Sequence, residues 1–351
     1  MKIAPIIESL MDAMKKGAAL NFRLVHTGQH YDEKMSSGFF KELNIPDPDN
    51  NLDCGGGTQA EQTASIMIKF EQELLQFPTD LVLVVGDVNS TMSCAIVAQK
   101  MGVKVAHVEA GIRSGDWSMP EEINRLVTDS ITNYFFTTTE VANQNLKNSG
   151  VKEEQLFFVG NTMIDTLLKN EPRFKKPYLF DENKLEAKNY IVVTLHRPAN
   201  VDNEVQLNHL LKEIIHHSQN ARLIFPVHPR TRKTLEKLHF DTANLILAEP
   251  MGYLEFNYLV KNALAVITDS GGITEETTVM GIPCMTLRDT TERPETCTIG
   301  TNELLGTNPN NIRPALEKLF KGHWKKGGIP SLWDGKAAER IVKHLIELFP
   351  A

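Results

Sequence analysis

The sequence predicts an α/β protein made of two doubly wound parallel-sheet domains. Three observations carry this expectation. Short, almost wholly apolar runs recur, such as LVLVVGD (81–87). They alternate with amphipathic helical segments, and a charged stretch without apolar period, 170–189, divides the chain. Apolar runs without polar alternation fit strands buried on both faces of a parallel sheet. Strand–helix alternation points the same way. At 351 residues the chain has room for two cores.

The first domain is expected over 1–168. Ile3, Ile6, Ile7, Leu10 and Met14 recur at helical spacing, and Gly17 stops that helix. FRLVHTG (22–28) reads as a strand, followed by a helix over 31–43 that ends at Asn44 and IPDPDN. Residues 59–76 make a long helix broken by Pro78, and LVLVVGD then forms a buried strand. The unit repeats as helix 90–101, strand 103–111, helix 120–133, strand 134–139, helix 140–148 and strand 156–161. Residues 169–189, with two prolines, are expected to be the connector.

The second domain, expected over 190–335, repeats the logic. Strands are predicted at 190–196, 222–228, 244–250, 264–272 and 283–288. Helices are predicted at 204–218, 231–238, 253–261, 273–280 and 309–320. A glycine-rich loop covers 322–335, and the C-terminal helix, 336–351, could cap either domain.

Composition narrows the function. Lys and Arg number 37 against 44 Asp and Glu, a formal charge of −7, which argues against a broad cationic nucleic-acid surface. No apolar run is long enough to span a membrane, and the first residues lack the pattern of a secretory signal. The four cysteines, Cys54, Cys94, Cys284 and Cys297, form no CxxC. A cytoplasmic enzyme is expected. There is no GxxxxGK[ST], GGG (55–57) does not supply GxGxxG, and no HExxH occurs. Neither a nicotinamide cofactor nor a metal is therefore expected.

Polar residues cluster just after the apolar runs, where open α/β sheets bind ligands. They are Gly86-Asp87, His107 to Gly111, His196-Arg197, His228-Pro229-Arg230 and Asp269 to Gly272. Each has a plain alternative: Asp87 as a cap, Glu109 as a structural ion pair, His196 as a satisfied core histidine. DSGGITEET (269–277) opens a helix, so its amides could receive a phosphate or a sugar hydroxyl. Asp269 or Ser270 could cap it, and Glu275 and Glu276 could equally serve a capping box. Arg288 and Arg293 could clamp a diphosphate, or pair with Asp289, Glu292 and Glu295. Asp87, Glu109 and Glu121 on successive segments could move a proton at carbon if they converge and raise one another's pKa.

Taken together, TGQH (27–30), GD (86–87), HVEAGIRSGD (107–116), PEEINR (120–125), GNTMID (160–165), TLHRPANVD (194–202), PVHPR (226–230), TDSGGITEE (268–276) and RDTTERPE (288–295) resemble the non-hydrolysing UDP-N-acetylglucosamine 2-epimerases. The resemblance runs through the whole chain in order. It implies two Rossmann-like domains of the GT-B type, with UDP held mainly by the second. It also implies interconversion of UDP-GlcNAc and UDP-ManNAc with no cofactor. The family reaction removes the C2 proton, eliminates UDP anti to give a bound 2-acetamidoglucal, and adds UDP back with protonation from the other face.

Carried over residue by residue, the resemblance implies catalytic roles for Asp87, Glu109, Glu121 and His196. It implies substrate contacts for Lys2, Arg113, Phe256, Ser270, Gly271, Gly272, Glu276 and Arg293, and it favours Glu276 over Glu275 at the ribose. It further implies a cytoplasmic homodimer serving cell-envelope polysaccharide biosynthesis, with no nucleic-acid or membrane partner. The alternatives are an epimerase of another UDP-2-acetamido sugar, a UDP-sugar glycosyltransferase, or an inactive nucleotide-sugar binding protein.

The sequence departs from the family pattern in two places. The family opens with a buried strand and a G-x-R-P loop, whereas MKIAPII matches the helix after them, with Lys2 in place of the family lysine. The first strand of the first domain is therefore expected to be missing. Ser65 stands where substrate-regulated members carry an arginine, although Gln29 and His228 match. Activation by UDP-GlcNAc at a second site is accordingly not expected.

Overall fold

The computed structural model describes residues 1–350 except 29–37, 39, 228, 236 and 239–242. The predicted helix over 31–43 therefore falls largely outside the described residues, as do Gln29 and His228. The chain divides into two compact units, Met1–Lys169 with Ser331–Ala351, and Asn170–Pro330.

In the first unit the helices are α1 (Ala4–Lys15), α2 (Gln59–Gln76), α3 (Asn89–Lys100), α4 (Pro120–Ser130) and α5 (Glu140–Asn148). α6 (Thr162–Asn170) closes this run. The strands are β1 (Val25–His26), β2 (Asn50–Asn51), β3 (Leu81–Val85), β4 (Lys104–Ala110), β5 (Tyr134–Thr137) and β6 (Leu156–Phe158). β3 to β6 form a four-stranded parallel sheet in sequence order, and β1 pairs in parallel with β2.

Side-chain alternation buries both faces of the larger sheet. Val82, Val84 and Val105 meet Ile66, Phe70 and Leu74 of α2 and Cys94, Val97 and Ala98 of α3. Ala106, Val108 and Phe136 face Ile6 of α1 on the other side.

The second unit holds α7 (Tyr178–Glu182), α8 (Pro198–Val201), α9 (Glu204–His217), α10 (Pro229–Leu235), α11 (Tyr253–Asn262), α12 (Gly271–Met280), α13 (Pro294–Thr298) and α14 (Ile312–Phe320). Its strands are β7 (Tyr190–Thr194), β8 (Arg222–Pro226), β9 (Leu245–Ala248), β10 (Ala265–Thr268), β11 (Cys284–Thr286) and β12 (Asn302–Leu304). They form one parallel sheet in the order β12-β11-β10-β7-β8-β9. The order reverses between β7 and β10, which places a ligand crevice beyond their carboxyl ends. Tyr190, Val192, Ile224 and Val266 bury into one face, and Ile191, Val193, Leu223 and Ile267 into the other.

The structure corrects the sequence reading in several places. Residues 170–189 are not a bare connector: they contain α7, and Phe180 and Leu185 are buried in the second unit's core. Two well-placed apolar side chains were hidden by the surrounding charge. The 22–28 strand shortens to β1, while β2, α6, α13 and β12 were not anticipated.

The C-terminal helix, α15 (Ala337–Leu348), belongs to the first unit rather than standing alone. Ile341 and Leu345 join the core beside Ile6, and Asp165 of α6 receives the amides of Ala337 and Ala338 at 3.1 and 2.7 Å. That distant carboxylate satisfies two of the orphan donors at the helix start.

Candidate active site

In the first unit the site is built at the ends of β3 and β4. β3 runs into Gly86, whose φ of +77° disfavours a side chain. A Cβ at this position would lie 3.4 Å from Lys2 Nζ and 4.0 Å from Glu109 Oε2, so the glycine also leaves room for both groups. The next residue, Asp87, accepts from Arg125 Nε at 3.1 Å and Nη2 at 2.6 Å. Arg125 is buried on α4 and also donates to Glu122 at 2.7 Å. Glu122 in turn receives the amides of Ser114 and Gly115, which anchors the loop after β4.

Glu109 is buried and adopts φ +71°, where the register of β4 against β5 shifts. A non-glycine residue in this region costs about 1–2 kcal/mol, and such strain gathers at functional positions. The irregularity turns the Glu109 carboxylate onto Lys2, with Nζ 2.5 Å from Oε2. Glu121, in the first turn of α4, is half-buried and has no side-chain hydrogen bond or ion pair among the described residues. Arg113 turns to Asp129 Oδ2 at 2.6 Å and the Ile112 carbonyl at 2.8 Å. The implied substrate contact of Arg113 thus starts from an intramolecular partner. Among the described residues Asp87 and Glu109 are each paired with a cation, and Glu121 has no side-chain partner.

In the second unit, β7 and β10 end side by side. His196 is not a core histidine, because its side chain is 57% exposed. Its Nδ1 lies 2.7 Å from Asp269 Oδ1. Asp269 also accepts the His196 and Arg197 amides and Asn200 Nδ2. Burial would raise its pKa, but the hydrogen bond and charge of His196, with Asn200 and the Arg197 amide, hold it below the ordinary value. With Nδ1 donating to a carboxylate, Nε2 is the nitrogen left for other partners.

Asp269 therefore braces the His196 loop instead of capping α12, and Ser270 makes no side-chain cap bond either. The amides of Gly271, Gly272 and Ile273 have no acceptor among the described residues. Such a helix start favours an anion.

Around it, Arg288 grips Glu292 at 2.6 and 3.2 Å. A Cβ at Gly271 would lie 2.5 Å from Glu292 Oε1, so a larger residue there would have to push the Glu292 carboxylate aside. Arg293 Nε pairs with Glu275 at 2.8 Å, both side chains being buried. Glu275 is therefore an ion-pair partner and not part of a capping box, and Asp289 holds the Thr307 amide instead of an arginine. Glu276 is buried and accepts from Tyr253 Oη at 2.9 Å. Burial pushes its pKa up to about 7, against the hydrogen bonds of Tyr253 and Asn257. Phe256, also on α11, is partly buried at the edge of the core.

The structure brings Lys2, Asp87 and Glu109 to one pair of strand ends, and Ser270 to Gly272, Glu276 and Arg293 to one helix. Sequence reasoning missed Arg125, Asp129 and Tyr253. The first lies in the quoted PEEINR run, but nothing in spacing reveals that an arginine there reaches back to Asp87.

Comparison with known proteins bears directly on this arrangement. The family profile described as UDP-N-acetylglucosamine 2-epimerase matches residues 12–346. The chain belongs to this family. It is 42% identical over 358 residues to a UDP-N-acetylglucosamine 2-epimerase of Methanocaldococcus jannaschii, covering 98% of this chain and 95% of that relative. The crystal structure of the M. jannaschii enzyme in complex with UDP-GlcNAc and UDP superposes with a TM-score of 0.88 at 40% identity, covering 99% of this chain and 96% of that one. A UDP-2,3-diacetamido-2,3-dideoxy-D-glucuronate 2-epimerase of Pseudomonas aeruginosa is 38% identical, covering 93% of this chain and 91% of that relative.

Proposed function

We propose that this family member is a non-hydrolysing epimerase that interconverts UDP-GlcNAc and UDP-ManNAc. The observation that carries the reading is the set of two carboxylate–cation pairs, Asp87–Arg125 and Glu109–Lys2, at neighbouring strand ends. Inversion at C2 needs one group to take the proton and another to return it from the opposite face, and three acids, Asp87, Glu109 and Glu121, are available for those roles. As the C2–H bond breaks, the C1–O bond to UDP breaks with it, leaving a 2-acetamidoglucal. UDP then returns to C1 while the proton goes to the other face of C2.

Lys2 orients Glu109 and adds positive charge beside the reacting sugar. UDP is received in the second unit by the α12 amides at Ser270, Gly271 and Gly272, with Arg293 at the diphosphate, Glu276 at the ribose and Phe256 at the uracil. Arg113 would reach the sugar by exchanging its bond to Asp129. His196 presents Nε2 to the departing diphosphate or orients the sugar.

The test is to incubate the protein in D₂O with UDP-GlcNAc, and separately with UDP-2,3-diacetamido-2,3-dideoxy-D-glucuronate, and to follow C2 by NMR. Deuterium at C2 with formation of UDP-ManNAc is expected from the first. Exchange from the second sugar alone moves the substrate assignment, and no exchange from either sinks the epimerase reading.

A further inference from the structure

One buried pair in the first unit moves no proton in the chemistry proposed above, yet touches both strand ends that carry it. His107, on β4, is fully buried. Its Nδ1 lies 2.7 Å from Asp129 Oδ1, and its Nε2 lies 2.8 Å from the carbonyl oxygen of Gly86. Both neighbours accept, so both ring nitrogens must donate to make the two bonds. Asp129, on α4, spends its other oxygen on the Gly111 amide at 3.0 Å and on Arg113 at 2.6 Å. Burial would raise the Asp129 pKa, but His107 and Arg113 hold it below the ordinary value.

The ring thus pins the residue before Asp87, and the carboxylate pins the residue two beyond Glu109. Between these pins Glu109 sits in its left-handed conformation. Strained backbone persists only while its surroundings over-determine it.

We propose that His107 and Asp129 are positioning residues, which keep Glu109 left-handed and set its spacing from Asp87. The proposal rests on the carboxylate chemistry above. It acts through those two acids and not on UDP, whose proposed contacts lie in the second unit. Displacing a reacting group by about 1 Å costs on the order of 10²-fold in rate.

The experiment uses the full chain carrying Asp129→Asn or His107→Phe. It measures kcat and KM for UDP-GlcNAc, UDP affinity by calorimetry, and the crystal structure of each variant. The expected result is a kcat lower by about 10²-fold, UDP affinity little changed, KM little changed in His107→Phe, whose ring does not hold Arg113, and Glu109 relaxed to negative φ. His107→Gln, which keeps one donor toward the Gly86 carbonyl, should recover part of kcat, and it carries the test if the phenylalanine variant does not fold. A kcat near the parental value in any folded variant overturns the proposal, as does a loss of kcat matched by an equal loss of UDP affinity. Should the parental chain show no C2 exchange, the epimerase reading fails by itself. The positioning role is then judged by the Glu109 backbone in Asp129→Asn, where a retained left-handed conformation refutes it.

Discussion

Replacing Glu276 by glutamine should make the ligand-free protein more stable at alkaline pH while weakening UDP binding. Glu276 is buried, and burial pushes its pKa up to about 7 from an ordinary 4.5, against the hydrogen bonds of Tyr253 and Asn257. A folded pKa above the unfolded one means that the folded state binds the proton more tightly. Its contribution is therefore fully present below pH 4.5 and is lost as pH rises through 7. The full displacement amounts to about 3 kcal/mol, of which about 2 kcal/mol falls between pH 5.5 and 8.5.

Glutamine keeps the shape and can still accept from Tyr253, but it has no proton to lose. The stability of Glu276→Gln relative to the parental chain should thus rise by about 2 kcal/mol across that interval. Urea unfolding of both proteins at pH 5.5, 7 and 8.5 measures it, since other titrating groups cancel in the difference. Calorimetry at pH 8 should meanwhile show UDP bound about 10-fold or more weakly, the loss of a hydrogen bond to a charged group. A pH-independent difference in stability, or one of opposite sign, would refute the burial argument. Unchanged UDP affinity would refute the placement of the ribose.

Other outcomes follow from the same geometry. Arg293→Ala should weaken UDP binding and also cost about 3–5 kcal/mol of stability, because it removes a cation paired with the buried Glu275 carboxylate. Calorimetry and urea unfolding separate the two, and Arg293→Ala with Glu275→Gln should recover much of the stability without recovering UDP affinity. Among the three acids, Asp87→Asn, Glu109→Gln and Glu121→Gln should each lower epimerisation by 10²-fold or more on general acid–base grounds. C2 isotope exchange sorts them: one variant that exchanges but does not epimerise works on the second face, and parental rates in all three refute the mechanism. Burial pushes the Asp165 pKa up to about 6, against the amides of Ala337 and Ala338, so its stability contribution is lost as pH rises through 6. Asp165→Asn should flatten that slope in urea unfolding between pH 5 and 7.5, and parallel curves would show that the two amides outweigh burial.

Much of the architecture was legible because it depends on local pattern. β3, β4, β7 and β10 lie within the predicted apolar runs, and α2 keeps its predicted limits, since burial on both faces and helical period are written in neighbouring residues. The signal failed where length or partner decided. β2 and β12 have two and three residues, too few to show a period. α7 is a single short turn of helix whose apolar residues are diluted by charge. Among site residues, the quoted runs contained Asp87, Glu109, His196 and the α12 start, because strand ends and glycine-opened helices are local features.

The sequence by itself determined the alternation of strands and helices, the two-part division and the positions of polar residues at strand ends. These follow from which side chains avoid water and from where glycine and proline interrupt the pattern. Tertiary structure alone decided the partners. It gave Asp87 to Arg125, Glu109 to Lys2, Glu275 to Arg293 and Asp269 to His196. It returned α15 to the first unit through Asp165, more than 170 residues away along the chain. The physical reason is distance along the chain: a charge is worth little until a particular opposite charge is brought beside it out of water, and only the folded backbone brings together residues so far apart in sequence.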